Sequence, residues 1–246
     1  MIAYRDKSAF PDICLKVNSS ESSLTGGELI ELKSAKSYSV ASFNSQIPKY
    51  QKKLDDLASN VLAGMRDNDK ETDSLPIRDV YYLIRGYRET NMAITEPKIC
   101  LVSGKFFETV AAKDLIQNAF EQVIDERQAL KNLEITEDFK KTLVDLFSEQ
   151  ESFSKTRSVE NASVSIRFRI MTQAVGAGNI LSTSQYPKLG VNTLNLVLPY
   201  YSNQERDILQ NHMRGVMKDA YEDLEQFELK HPYNGSFWVF QLDISQ

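Results

Sequence analysis

The chain has 246 residues, 41% hydrophobic and 26% charged, with a formal net charge of −5. That length supports a sizeable core in one domain of about 200–250 residues, or a core with an elaboration. The negative balance excludes a protein that coats nucleic acid by charge alone, but not a specific enzyme that gathers acids at a metal site and bases on one face. No run approaches the ~18 apolar residues of a membrane span. The opening Met1-Ile-Ala-Tyr-Arg-Asp-Lys lacks the apolar stretch of a signal peptide, so a cytoplasmic protein is the expectation. Cys14 and Cys100 are too few for a disulfide scaffold and too far apart for a zinc motif. Both lie in apolar, strand-like runs and read as buried thiols.

In chain order, residues 11–17 (Pro-Asp-Ile-Cys-Leu-Lys-Val) form the first candidate strand, and the Ser/Thr/Gly-rich residues 18–27 a loop. Residues 28–34 (Glu-Leu-Ile-Glu-Leu-Lys-Ser) form a second strand, which pairs with the first as a hairpin. Ile47, Tyr50, Leu54, Leu57, Val61 and Leu62 recur at three-to-four spacing and predict a helix over 46–63. Residues 66–74 read as a surface loop, 79–87 and 98–103 as strands, and 111–130 and 137–153 as helices. From 162 to 172, Val164, Ile166, Phe168 and Ile170 alternate with Ser163, Ser165, Arg167 and Arg169, the period of a half-exposed strand. Residues 176–190 read as a mobile loop, 194–198 as a strand, 203–229 as a long helix capped at Ser202 or Asn203, and 237–244 as the last strand. A soft boundary falls near residue 155.

The second strand carries the most specific chemistry. Side chains alternate along a strand, so Glu31 and Lys33 are neighbours on one face. Asp12 opens the preceding strand, and a hairpin can bring it beside Glu31. Two carboxylates with the backbone carbonyl of Leu32 form a hard-oxygen set suited to Mg²⁺. Such an ion neutralises a phosphodiester and lowers the pKa of a bound water. Lys33 is then placed to orient that water and to stabilise the pentacovalent transition state. The alternative is an exposed hairpin with ordinary alternating charges. Two further features bear on the choice. Residues 32–54 contain no acid, while Lys33, Lys36, Lys49, Lys52 and Lys53 supply positive charge suited to a phosphate backbone. The polar Asn44, Ser45 and Gln46 follow the Lys33 strand and are candidate contacts to phosphate or base edges.

Pro11-Asp12 and Glu31-Leu32-Lys33, separated by eighteen residues between the two acids, resemble the signature of the PD-(D/E)XK nucleases. Ser42-Phe-Asn-Ser-Gln-Ile-Pro48 looks like the segment after the catalytic lysine of several type II restriction endonucleases, and Ile99–Phe107 resembles a strand-to-loop step common there. The resemblance covers roughly residues 11–107. It implies an α/β fold, a mixed central sheet flanked by helices, with residues 1–155 as nuclease core. Residues 156–246 become a C-terminal elaboration of the same domain for DNA recognition and packing. It further implies Mg²⁺-dependent hydrolysis of double-stranded DNA, usually by a homodimer, with Asp12, Glu31 and Lys33 in the catalytic roles. One departure stands out: in this family a helix normally precedes the first catalytic strand, and only ten residues precede Pro11. Either the reading frame begins late, or a later helix or a partner chain fills its place.

In the second half, Arg167 and Arg169 are candidate DNA contacts, since arginine reads guanine edges through its bidentate fork; an exposed sheet face explains them equally well. The Gly-Ala-Gly-Asn stretch at 176–179 lacks the ending of a phosphate loop. His212 and His231, without a zinc motif around them, read as structural or surface residues. The acidic 219–228 segment reads as a solvated helix face. The leading function is therefore a type II restriction-like endonuclease. The alternatives are a non-cleaving DNA-binding or assembly subunit with the same fold, and a nuclease for RNA or for single-stranded or branched DNA.

Overall fold

The computed structural model describes residues 10–18, 26–40, 50–108, 136–139, 141–142 and 176–245, with short strands at 2–3, 43–44, 154–155, 165–166 and 171–172. The strands are β1 (Ile2–Ala3), β2 (Ile13–Cys14), β3 (Leu29–Lys36), β4 (Phe43–Asn44), β5 (Gln51–Lys53), β6 (Ile77–Thr90), β7 (Ala93–Ser103), β8 (Ser154–Lys155), β9 (Ser165–Ile166), β10 (Met171–Thr172), β11 (Thr193–Pro199), β12 (Glu225–His231) and β13 (Gly235–Asp243). The two long helices among the described residues are α1 (Ser59–Asn68) and α2 (Asn203–Met217). The chain divides into two compact units. One comprises Met1–Ala41, Pro48–Thr109 and Ala174–Gln246, the other Ser42–Ile47 and Val110–Gln173. In the second unit β4 pairs with β10, and β8 with β9, both antiparallel.

The first unit is built on an open mixed sheet of nine strands. Their order is β1-β2-β3-β6-β7-β11-β13-β12, with β5 alongside β6. The β3–β6 and β7–β11 pairs are parallel and the rest antiparallel. The architecture is α/β, and residues from both halves of the sequence share the one sheet. The long β6–β7 pair turns through Asn91 and Met92, both at positive φ (51° and 63°). A two-residue turn of that hand matches the twist of the strands it joins.

Period two governs the sheet. Arg78, Val80, Tyr82, Ile84 and Gly86 are buried along β6, alternating with more exposed neighbours. Register carries that face through Val102, Val197, Val239 and Phe227. Phe106 and Phe107 cover it, meeting Phe237 and Tyr82 at ring-centroid distances of 5.2 and 4.9 Å. The opposite face carries a second core in which Leu198 and Phe240 pack with Met213 and Tyr221, joined by Leu209 and Met217 of α2. Ser202 caps α2, its side chain accepting from the Glu205 N–H (3.2 Å), while the Glu205 carboxylate accepts from the Tyr201 N–H (2.7 Å). Reciprocal bonds of this kind satisfy N–H groups that a helix leaves open at its start.

Four sequence expectations are corrected. Of the helix predicted over 46–63, residues 46–49 lie outside the described residues, 51–56 form β5 and a 3₁₀ turn at Leu54–Asp56, and only 59–63 are helical, as the start of α1. Leu54 and Leu57 are buried as expected, but a 3₁₀ turn satisfies a spacing of three as well as an α-helix does. The helix predicted to 229 ends at Met217, where Lys218 takes φ 51°. A 3₁₀ helix follows at Lys218–Asp223, and residues 225–231 then form β12, with Phe227, Leu229 and His231 buried in alternation, so the acidic run lies partly on a 3₁₀ helix and partly on a strand. Residues 66–74 complete α1 and a 3₁₀ turn whose Thr72 is buried, rather than forming a surface loop. Residues 176–190 are irregular but packed. Ile180, Leu181 and Leu189 are fully buried, and the segment's carbonyls are gripped by the sheet: Lys98 Nζ donates to Leu181 (3.0 Å) and Gln241 Nε2 to Lys188 (3.0 Å). The predicted helix over 111–130, nearly all of that over 137–153, and most of the alternating 162–172 segment lie outside the described residues.

Candidate active site

The start of β3 is fixed by a buried arginine. Arg78 donates to the carbonyls of Leu75 (2.7 Å), Gly27 (3.0 Å) and Thr72 (2.7 Å). It ties the turn before β3 to the turn before β6. Gly27 has φ +86°, and a Cβ there would lie 1.4 Å from Arg78 Nη1. Only glycine supplies both that conformation and that space.

From this anchor β3 runs parallel to β6, with Glu31 opposite Tyr82 and Lys33 opposite Ile84. Glu31 and Lys33 therefore stand on the covered face of the sheet. The Lys33 ammonium donates to Glu31 Oε1 at 2.6 Å, and the two side chains keep 23% and 19% of their exposure. On the other side β2 pairs only with Leu29 and Ile30. One residue before that pairing, Asp12 turns its carboxylate to the strand, and Oδ2 accepts the Leu32 N–H at 2.7 Å. The N–H and C=O of a strand residue point to the same edge, so the Leu32 carbonyl faces the side where Asp12 sits. The Leu32 side chain is on the opposite face and 45% exposed.

Burial pushes the Glu31 carboxyl above its ordinary range; the Lys33 charge and hydrogen bond pull it down, and the neighbouring Asp12 carboxylate pushes it up again. Burial and the Glu31 charge together drive the Tyr82 phenol upward. Two carboxylates held together in a partly dehydrated place are a site that a cation relieves. The donor set fits a hard divalent ion: two carboxylates and a carbonyl, with solvent access for waters. Among the described residues no cluster of three or more His, Cys, Asp or Glu side chains forms, so the ligands these residues offer are the two carboxylates and the Leu32 carbonyl.

Asp12, Glu31 and Lys33 are thus brought together, as expected. Lys36 is not part of that group. It projects from the opposite face of β3 and pairs with Glu89 (2.7 Å). A stretch without acids in sequence has an acid beside it in space. Asn44 lies in β4, in the second unit, while Ser45, Gln46, Arg167 and Arg169 lie outside the described residues. Cys14 and Cys100 are buried free thiols, pushed by burial to about 11 and about 12. His231 is buried, and its Nδ1 accepts from the N–H groups of Tyr233 (3.2 Å) and Asn234 (3.0 Å).

Two features escaped sequence reasoning. Tyr82 borders Glu31, a neighbour that only strand register reveals. A second polar place is the open cleft of about 290 Å³ lined by Lys105, Tyr200, Tyr201 and Asn234–Ser236. There the Lys105 ammonium lies over the rings of Tyr201 (4.7 Å) and Tyr50 (5.5 Å) and near Glu108 (3.6 Å). Set against known proteins, the chain matches no family model, no curated protein and no solved structure.

Proposed function

We propose that the chain is a Mg²⁺-dependent endonuclease of the PD-(D/E)XK type, hydrolysing phosphodiester bonds of double-stranded DNA. The observation that carries this reading is the convergence of Asp12, Glu31 and Lys33 around the backbone of Leu32 at one edge of a sheet. In this reading Asp12, Glu31 and the Leu32 carbonyl hold the ion. Bound there, the ion supplies charge neutralisation and a water of lowered pKa. Asp12 keeps its second oxygen clear of the Leu32 N–H, and Glu31 serves as ligand in its carboxylate form, which the Lys33 ammonium favours. Lys33 is held on the same face by Glu31, within reach of a phosphate oxygen arriving at the edge. Arg78 and Gly27 set the position of the whole strand.

The test is cleavage of a broad pool of duplex DNA with Mg²⁺, by wild type, Lys33→Ala and Glu31→Gln. The expected result is cleavage by wild type, with turnover lowered about 10²-fold or more in either variant. Duplex affinity of Lys33→Ala should stay within about threefold. Wild type that cuts nothing, and binds no Mg²⁺ that Asp12→Asn abolishes, overturns the proposal. A second reading, a DNA-binding or assembly subunit that does not cut, is favoured by one observation: no third acid or histidine joins the pair among the described residues. It predicts duplex binding in wild type with no turnover to lose.

A further inference from the structure

The sheet ends on β12, and among the described residues no strand pairs with its outer side. An unpaired edge exposes a row of N–H and C=O groups, and proteins usually blunt it with proline, a bulge or charge. β12 has no proline within it and pairs with β13 in unbroken register from Glu225 to His231; its blunting is charge, at Glu225, Glu228 and Lys230, which opposes an arbitrary strand but not one that sets opposite charges against these. The direction of its backbone groups follows from the neighbouring strands. The Tyr200 N–H donates to the Ser236 carbonyl, so Ser236 points toward β11 and Phe237 toward β12. Leu229, the partner of Phe237, then points inward, and Gln226, Glu228 and Lys230 present their backbone groups outward.

We infer that this edge pairs with the same edge of a second copy, antiparallel, about a two-fold axis at Leu229. A two-fold normal to the sheet keeps each face on its own side, so paired residues must share a face. Centred on Leu229, Glu228 stands opposite the partner's Lys230 on the exposed face, and the reverse pair forms by symmetry. Both pairs have outward backbone groups, so each exchanges two main-chain hydrogen bonds across the axis. Phe227 meets the partner's His231 on the buried face. Shifted to an axis at Glu228, two carboxylates oppose each other; shifted to Phe227, Glu228 faces only the partner's Gln226. The charges of β12 therefore select one register. Glu228 is fixed on that face: its Oε1 accepts from Tyr200 (2.7 Å) and Ser236 (2.9 Å) on the inner side, and Oε2 lies outside these two bonds. The Lys230 side chain is 76% exposed, with its ammonium 3.7 Å from Glu228 Oε2. Two short strands bury little area, so the dimer is weak and concentration-dependent.

This inference is independent of the cleavage reading. Sedimentation of the full chain from about 1 µM to about 1 mM tests it. A monomer–dimer equilibrium is expected. Lys230→Glu sets Glu against Glu in both pairs and weakens the dimer about 10-fold or more. Adding Glu228→Lys restores it to within about threefold. Lys230→Pro removes only an outward N–H from the ladder and leaves a monomer. Should Glu228→Lys disturb the fold by losing its two hydroxyl donors, the two Lys230 variants still decide. A chain that is monomeric throughout overturns the inference, and so does a dimer indifferent to both Lys230 variants.

Discussion

Lys33 and Lys98 stand on the same face of the same sheet and have opposite fates. Lys33, at the β3 edge, keeps partial access to solvent and pairs with Glu31. Lys98, on β7, is fully buried, has no salt bridge to a carboxylate among the described residues and donates its ammonium to the carbonyl of Leu181. Burial drives its pKa downward. Its neighbours behave alike. Asn195 donates to the carbonyl of Ile99 (3.1 Å) and to Thr193 (2.9 Å), and accepts from Gln241 (2.7 Å). Lys98 and Asn195 are consumed by structure, whereas Asp12 and Glu31 at the edge retain both access and spare oxygens. Chemistry is a matter of unspent valence more than of residue type.

Mutations can break that contrast. The largest effect should come from Arg78→Met, which orphans three carbonyls at once; urea unfolding should show a loss of about 3–5 kcal/mol. A loss under about 1 kcal/mol would show that the interior donors are dispensable. Asn195→Ala should cost about 1–3 kcal/mol, because its partners remain buried without it. Glu31→Gln, at the edge, should change stability at neutral pH by no more than about 1 kcal/mol.

The sign of that last change depends on pH. Glu31 has its folded pKa raised above the ordinary 4.5. Below 4.5 the carboxyl is protonated in both states. As pH climbs from 4.5 through the folded value, the folded state holds a proton that the unfolded state has released, and stability falls. Wild type should therefore lose stability relative to Glu31→Gln across that window and then run level. Melts of both proteins between about pH 4 and pH 8 check this, and a gap that opens in the opposite direction refutes the burial of Glu31. The smallest effect should be at the thiols. Native protein should resist labelling by a thiol reagent at pH 8, and denatured protein should label at Cys14 and Cys100.

Much of the contrast was legible in the sequence. Alternation in Glu28–Ser34 places Glu31 with Lys33, and the hairpin with 11–17 brings in Asp12, although β2 proper is only two residues long. The buried character of both cysteines follows from their apolar runs. What was hidden is register and handedness. Nothing in Asp-Val-Tyr-Tyr says that the second tyrosine lies opposite Glu31. The strand from 225 to 231 does alternate, but the acidic amphipathic run before it masks the break, which is made by Lys218 at positive φ. Met92 shares the tight turn with Asn91 despite having no local preference for that conformation.

The parallel pairing of β7 with β11 joins segments separated by the whole of residues 104–192, which include most of the second unit. During synthesis β3, β6 and β7 can assemble early, yet Lys98 and Cys100, paired with β6 on one side, have no strand on the other until β11 emerges. This seam in the middle of the finished sheet thus closes only after the long intervening segment has been made. Contacts so distant along the chain slow folding, and an open row of backbone groups on β7 stands exposed meanwhile. The ammonium of Lys98, costly to bury once folded, is a charge on that waiting edge, where it opposes pairing with the wrong strand.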